Sequence, residues 1–334
     1  MAPSYQQTMD TFMSSTLEER RPDIINQIWT STPLMAWVSS KRTAQPGGKR
    51  VFINLEYGKN TSIKRNLGRG GKIDLVQDEI ITDCWYEWQT YGGGIIRYRD
   101  DDLENSGKWA VFNQAKAYED NLINAFKETY EEDLFGDESV GTNSINGLGG
   151  LIEEVDESAA EARVAGAQSG GSNTVGNLLR TTYPWFSNWG RNMTGKDPST
   201  WLQFYMREQF NNVQEWTGMN PEVMITHYNV RDLYEDEVGE TLRTMTVQLG
   251  DVGIRTVEYK GVPFITSPYA PQDKMWFIGD NTMDFVYDPR MWFKSTDWKE
   301  PTQQAFDYAK QIVAKGQFII RKPRGTSVLY NINA

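Results

Sequence analysis

QPGGKRVFINLEYGKNTSIKRNLGRGGKIDLVQDEIITDCWYEWQTYGGG, residues 45–94, holds two strand-like runs around a glycine-rich middle. From Arg50 to Tyr57 the residues alternate outward and inward, with β-branched and aromatic types among them. A second, longer run covers Ile73 to Tyr91. Between the two, Gly58, Asn60, Asn66, Gly68, Gly70 and Gly71 make a wide turn. The stretch therefore predicts a long two-stranded hairpin. Such a hairpin is barely stable alone in water, so a long, basic, exposed one needs a partner surface.

The GRGGK within it is not a phosphate-binding loop. That motif needs GxxxxGK followed by Ser or Thr, whereas here Asn66 holds the first glycine position and Ile73 follows Lys72. Its basic residues have another use. Lys41, Arg42, Lys49, Arg50, Lys59, Lys64, Arg65, Arg69 and Lys72 stand against Glu56 alone, nine minus one, a local charge of +8. From Asp100 to Glu138 twelve acids face Lys108, Lys116 and Lys127, a local −9. Each run alone is usually a solvated face. Together, a basic arm and an acidic body attract each other between copies and set the register of association. A basic arm could also bind nucleic acid, but the rest of the chain carries −19 (−11 minus +8), which repels a polyanion. Contact between arm and neighbour is the better reading.

Outward from the hairpin, residues 1–40 read as a polar arm with a short helix or two, broken at Pro22 and Pro33. Lys108 to Leu134 reads as a long helix, with Phe112, Ala115, Leu122, Phe126 and Tyr130 on one stripe, Asn105 or Ser106 as cap and Gly136 as stop. GTNSINGLGGLIEEV follows as a turn into a short apolar strand or helix start, and 156–174 as a surface loop. A second helix is expected from the Asp197 cap and Pro198 to Trp216, ended by Gly218, with Leu202, Tyr205, Met206, Gln209 and Val213 on its apolar face. VMIT is a short buried strand and Tyr228 to Val238 a third helix. Strands and turns then alternate through IRTVEYKGVPFITSPYAP, KMWFIGD and MDFVYD, and two more strands, joined near KPRG, fill Ala309 to Tyr330. The class is α+β.

Composition removes several chemistries. Cys84 is the single cysteine and His227 the single histidine, so neither a disulfide within the chain nor a Cys/His zinc site is available. A nucleophile–histidine mechanism would have to run through His227, which reads instead as a strand-to-helix junction residue. No stretch approaches the roughly 20 apolar residues of a membrane helix. Acids are plentiful at Asp100–Asp102, Glu131–Asp133, Glu153 and Glu154, and paired carboxylates can do acid/base work or hold Mg²⁺. A carboxylate- or metal-dependent enzyme is thus the alternative of a different class, but no motif gathers these acids around a nucleophile. No cofactor is implied.

The order of elements resembles the major capsid proteins of tailed bacteriophages, with the Hong Kong 97-type fold. The resemblance rests on the hairpin at 45–95, the helix at 108–134, NGLGGLI, VMITHYNVRDLYE and YKGVPFITSPYAPQDKMWFIGD, and it covers nearly the whole chain. It implies an N-terminal arm at 1–44, an extended loop at 45–95, a peripheral domain with a spine helix at 96–147 and 300–334, and an axial domain at 148–299. It implies a structural protein, not an enzyme, that self-assembles into hexamers and pentamers of an icosahedral shell around phage DNA, built in the host cytoplasm and residing in the virion. Scaffolding, portal and decoration proteins are the further partners it implies. Packaged double-stranded DNA would be contacted without sequence specificity, and no membrane is expected. Arg50, Lys59, Lys64, Arg65, Arg69 and Lys72 are the expected inter-subunit contacts, laid across a neighbouring subunit. About 40 residues precede the hairpin, so a separate scaffolding protein, or processing ahead of residue 1, is expected in place of a fused scaffolding domain. Some members cross-link a loop lysine to an asparagine. Lys59 and Lys64 are candidates, but nothing in the sequence marks the acid or the asparagine. An encapsulin-type nanocompartment shell shares the fold and remains the nearer alternative.

Overall fold

The computed structural model describes residues 32–65, 67–73, 77–98, 114–136, 144–154, 174–238, 257–300 and 307–332. The first elements are α1 (Pro33–Ser40), β1 (Arg42–Ala44), β2 (Arg50–Glu56), β3 (Ile81–Glu87), β4 (Gln89–Arg97), α2 (Gln114–Leu134) and α3 (Leu148–Leu151). Then come β5 (Thr174–Val175), β6 (Leu178–Leu179), β7 (Trp189–Asn192), α4 (Pro198–Thr217), β8 (Pro221–Thr226) and α5 (Tyr228–Val238). The rest is strand: β9 (Glu258–Tyr259), β10 (Val262–Thr266), β11 (Met275–Gly279), β12 (Met283–Tyr287), β13 (Lys294–Ser295), β14 (Tyr308–Ile320) and β15 (Thr326–Tyr330). The class is α+β, as expected.

The chain divides into two units, a larger one from 30–92, 127–294 and 313–334, and a smaller one whose described parts lie in 93–126 and 295–312. The larger unit is built on a six-stranded mixed sheet in the order β7-β15-β11-β8-β10-β9. Its central strands, MWFIG and TSVLY, are buried at every position, the pattern of a sheet covered on both faces. On one face α4 packs Leu202, Tyr205, Met206, Phe210 and Val213 against Met224, Phe264, Phe277 and Leu329. On the other, Trp276 meets Phe135, just past the end of α2. A second sheet joins β1, β12 and β14 in that order. In the smaller unit Lys299 bridges Ala309, and Lys310 pairs with Glu119 at 2.8 Å.

Helix α4 follows its sequence signals closely. Asp197 accepts from the Ser199 N–H, Pro198 fills the first turn, and Gly218 ends the helix in the left-handed region (φ 72). Helix α5 has the expected bounds, and His227 sits between β8 and α5 with its Nδ1 accepting from the Asn229 N–H. In α2, Phe126 and Tyr130 are buried as expected. The proposed caps Asn105 and Ser106, and Phe112, lie outside the described residues, as do Pro22 and nearly all of 156–174. NGLGGLI resolves as a single helical turn, α3.

Pro33 opens α1, where its missing N–H costs nothing; the residues before Thr32 lie outside the described ones. One expectation is corrected. The run from Ile73 to Tyr91 is not one strand. The ladder with β2 begins at Ile81 opposite Glu56 and ends at Glu87 opposite Arg50, while β4 pairs instead with β14. Nearer the tip the described residues are mostly exposed and join no ladder.

Candidate assembly interface

The root of the hairpin is fastened by alternation. Val51, Cys84 and Tyr86 point inward and are buried. The Tyr86 hydroxyl donates to the Ile320 carbonyl at 3.0 Å, and the Trp85 N–H donates to the Gly176 carbonyl at 3.1 Å. Gly176 passes so close that a side chain there would bring its first carbon 2.0 Å from Cys84 Sγ. Beneath lies Arg180, 1% exposed, with Nη1 3.1 Å from Glu153 Oε2 and Nη2 donating to the Leu151 carbonyl at 2.6 Å. Burial raises the Glu153 pKa against the pull of Arg180, and lowers that of Arg180. Burial also pushes the Cys84 thiol up to about 12, leaving it a protonated, inert core group.

Arg50, the innermost of the expected contact residues, is largely used within the chain. Its guanidinium lies 3.6 Å from the centre of the Trp85 ring and 3.3 Å from Glu87 Oε1. Lys59, Lys64, Arg65, Arg69 and Lys72 stand exposed on the segment beyond Glu56. Turn chemistry shapes that segment. The Thr61 N–H donates to Asp78 at 2.6 Å across the loop, Lys64 Nζ donates to the Lys72 carbonyl at 3.0 Å, and Tyr57 stacks on Trp185 at 5.2 Å. Between the cations Ile63 is 80% exposed, and Leu67 and Ile73 are 50% and 53% exposed.

Reading for charge alone missed those three apolar side chains. The available signal was large aliphatic residues inside a glycine-rich turn, where no periodicity assigns them to a core. Cations and exposed aliphatic side chains are thus interspersed along one segment.

The acidic run is less of a free surface than its charge suggests. Four of the six acids in the described part of α2 are engaged within the chain: Glu119 with Lys310, Glu128 with the Tyr269 hydroxyl, Asp133 with the Tyr91 hydroxyl, and Glu131. Glu131 is wholly buried and accepts from the N–H groups of Leu34 (3.2 Å) and Met35 (2.6 Å) and from Ser267 Oγ (2.8 Å). Asp120 and Glu132 remain exposed. Glu153 and Glu154 are likewise tied, to Arg180 and to Lys274 at 2.9 Å. Asp100–Asp102 lie outside the described residues. No group of three or more His, Cys, Asp or Glu side chains among the described residues could hold a metal ion. Nor, among them, is any helix long and apolar enough to cross a membrane.

By sequence, no family model and no curated protein matches this chain. By structure, it is similar to the capsid of cyanophage A-1(L) over 96% of this chain and 98% of that one, at TM-score 0.72 and 12% identity. It is similar to the capsid of a native GTA particle over 100% of both chains, at TM-score 0.63 and 8% identity. It is also similar to the SrpI encapsulin of Synechococcus elongatus over 100% of this chain and 97% of that one, at TM-score 0.57 and 11% identity. The chain has the Hong Kong 97-type fold of phage capsid proteins.

Proposed function

We propose that this chain is a major capsid protein of the tailed-bacteriophage type, a structural subunit that self-assembles into hexamers and pentamers of an icosahedral shell enclosing phage DNA. The observation that carries the reading is the hairpin tip: on a fold shared with phage capsids, it sets exposed Ile63, Leu67 and Ile73 among exposed cations, with none of the described residues covering them. In this reading 1–44 is the arm, 45–95 the extended loop, 96–147 with 300–334 the peripheral domain and 148–299 the axial domain. Lys59, Lys64, Arg65, Arg69 and Lys72 contact a neighbouring subunit, and Arg50 anchors the root of the loop. Scaffolding, portal and decoration proteins are further partners, packaged DNA is contacted without sequence specificity, and the shell is built in the host cytoplasm and resides in the virion.

Negative-stain electron microscopy of the purified protein tests this directly. Closed shells, or free hexamers and pentamers, are the expected images; dispersed monomers under all assembly conditions would sink the proposal. The combined change Lys64→Glu, Arg65→Glu, Arg69→Glu should abolish shells while leaving the thermal midpoint of the subunit unchanged, because exposed charges contribute little to its folding. Normal shells from that variant would remove the tip from the interface. The second reading, a nanocompartment shell, draws on the likeness to an encapsulin. Particles holding protein cargo in place of DNA would select it.

A further inference from the structure

The other side of β2 carries a feature that tip docking does not use. Along an antiparallel strand, successive peptide groups point to opposite edges. The Tyr57 N–H donates to the Ile80 carbonyl, so Val51, Ile53 and Leu55 direct their peptide groups to β3, and Phe52, Asn54 and Glu56 direct theirs away. That outward edge has no strand beside it among the described residues, since β2 and β3 form a sheet of two. Residues Phe52 to Glu56 form one wall of an open groove of about 770 Å³. Its other walls include Trp216, Lys322 and Arg324.

The groove is positively charged in a chain of net charge −11. Arg321 is answered by Asp284, but neither Lys322 nor Arg324 has a carboxylate partner among the described residues. Arg324 lies 4.3 Å over the half-exposed Trp216 ring, and its Nε is buried without a hydrogen-bond partner. The one acid in the wall, Glu56, is exposed. An unpaired strand edge, apolar ground at Phe52 and Trp216, and two uncompensated cations are the three elements of recognition by strand addition.

We propose that this groove takes an extended acidic segment of a different polypeptide, added as a third strand along the outer edge of β2. Alternate acidic side chains of that segment meet Lys322 and Arg324, and the intervening apolar ones lie on Phe52 and Trp216. A second copy is the poorer occupant, because among the described residues the long exposed loop of this chain is its basic tip, which these cations repel. Nucleic acid would satisfy the cations but not the peptide edge.

The test uses the full-length protein as dispersed subunits and a fluorescein-labelled decapeptide of alternating Glu and Val, read by fluorescence anisotropy. Saturable binding in the range of about 10–100 μM is expected. A Lys–Val peptide should not bind, and a Glu–Val peptide N-methylated at alternate residues, which keeps its charge but cannot pair, should bind at least tenfold more weakly. The pair Lys322→Glu and Arg324→Glu should weaken the Glu–Val peptide tenfold or more, and Lys322→Glu alone, at an exposed residue, should weaken it at least threefold without changing the thermal midpoint. Absence of binding up to about 1 mM overturns the proposal. So do equal affinity for the N-methylated probe, equal affinity in the charge-reversed variant, or displacement of the peptide by an oligodeoxynucleotide alone of matched charge. Shell formation by the same variant, followed by microscopy, separates this result from the fate of the capsid reading.

Discussion

Glu131 has a charged carboxyl at the start of life and a protein interior around it at the end, with two peptide N–H groups and a hydroxyl as its partners. It joins α2 to the first turn of α1 and to the loop after β10. Replacing it by alanine leaves two buried N–H donors unmatched, so a loss of roughly 3 kcal/mol is expected in urea unfolding. Burial raises its pKa. The folded state therefore holds a proton that the unfolded chain has released between the ordinary carboxylate pKa and the raised one. The stability this group contributes is full below the unfolded value and is lost as pH rises through the folded one. The unfolding free energy of the wild type minus that of Glu131→Gln should accordingly grow on acidification through that window; a difference flat with pH would show that Glu131 does not titrate there. Arg180 and Glu153 make a second buried tie. Arg180→Met alone should cost roughly 3–5 kcal/mol, and the double change Arg180→Met, Glu153→Leu should recover most of it, because the single change strands a buried charge. Equal thermal midpoints for the single and double variants would contradict that account.

The hairpin is two structures in one element. Its root is a seven-residue ladder held through Tyr86, Trp85 and the Gly176 crossing, and the described residues of its tip, between Tyr57 and Ile80, have turns but no ladder. Limited trypsin digestion of dispersed subunits should therefore cut after Lys64, Arg65 and Arg69 while leaving the ladder intact, and assembled particles should resist at those same bonds. Mass spectrometry of the fragments reads both states. Cleavage at equal rates in shells and subunits would place the tip outside any contact. The existence of the hairpin was legible in the alternation of Arg50–Tyr57. Its true extent was not, because the described residues between Ile73 and Ile80 join no ladder despite strand-forming types, and ladder pairing is a tertiary property.

Across the molecule, the mixed sheet of the larger unit explains why strands such as MWFIG and TSVLY carry no alternation. Both of their faces are covered, by α4 on one side and by the surroundings of Trp276 on the other. In the assembly proposed here, function is spread over surfaces: a tip that reaches a neighbour, and a charged groove beside the root of the same hairpin. The candidate contact residues Lys59, Lys64, Arg65, Arg69 and Lys72 could be picked out by charge alone. The inward use of Arg50 on Trp85 and the groove at Trp216 and Arg324 could not, since each joins residues distant in the chain.

The sequence by itself determined the class, the order of elements, the caps of α4, the junction at His227 and the basic hairpin. All of these depend on neighbours within a few residues, where propensity, capping and turn chemistry act. Only the tertiary structure decided that most acids of α2 face inward as anchors, that β4 leaves the hairpin for β14, and that one edge of β2 stays open. The reason is physical: whether a charge is solvated or a strand edge is paired depends on what packs against it, and that is fixed by contacts between segments far apart in the chain.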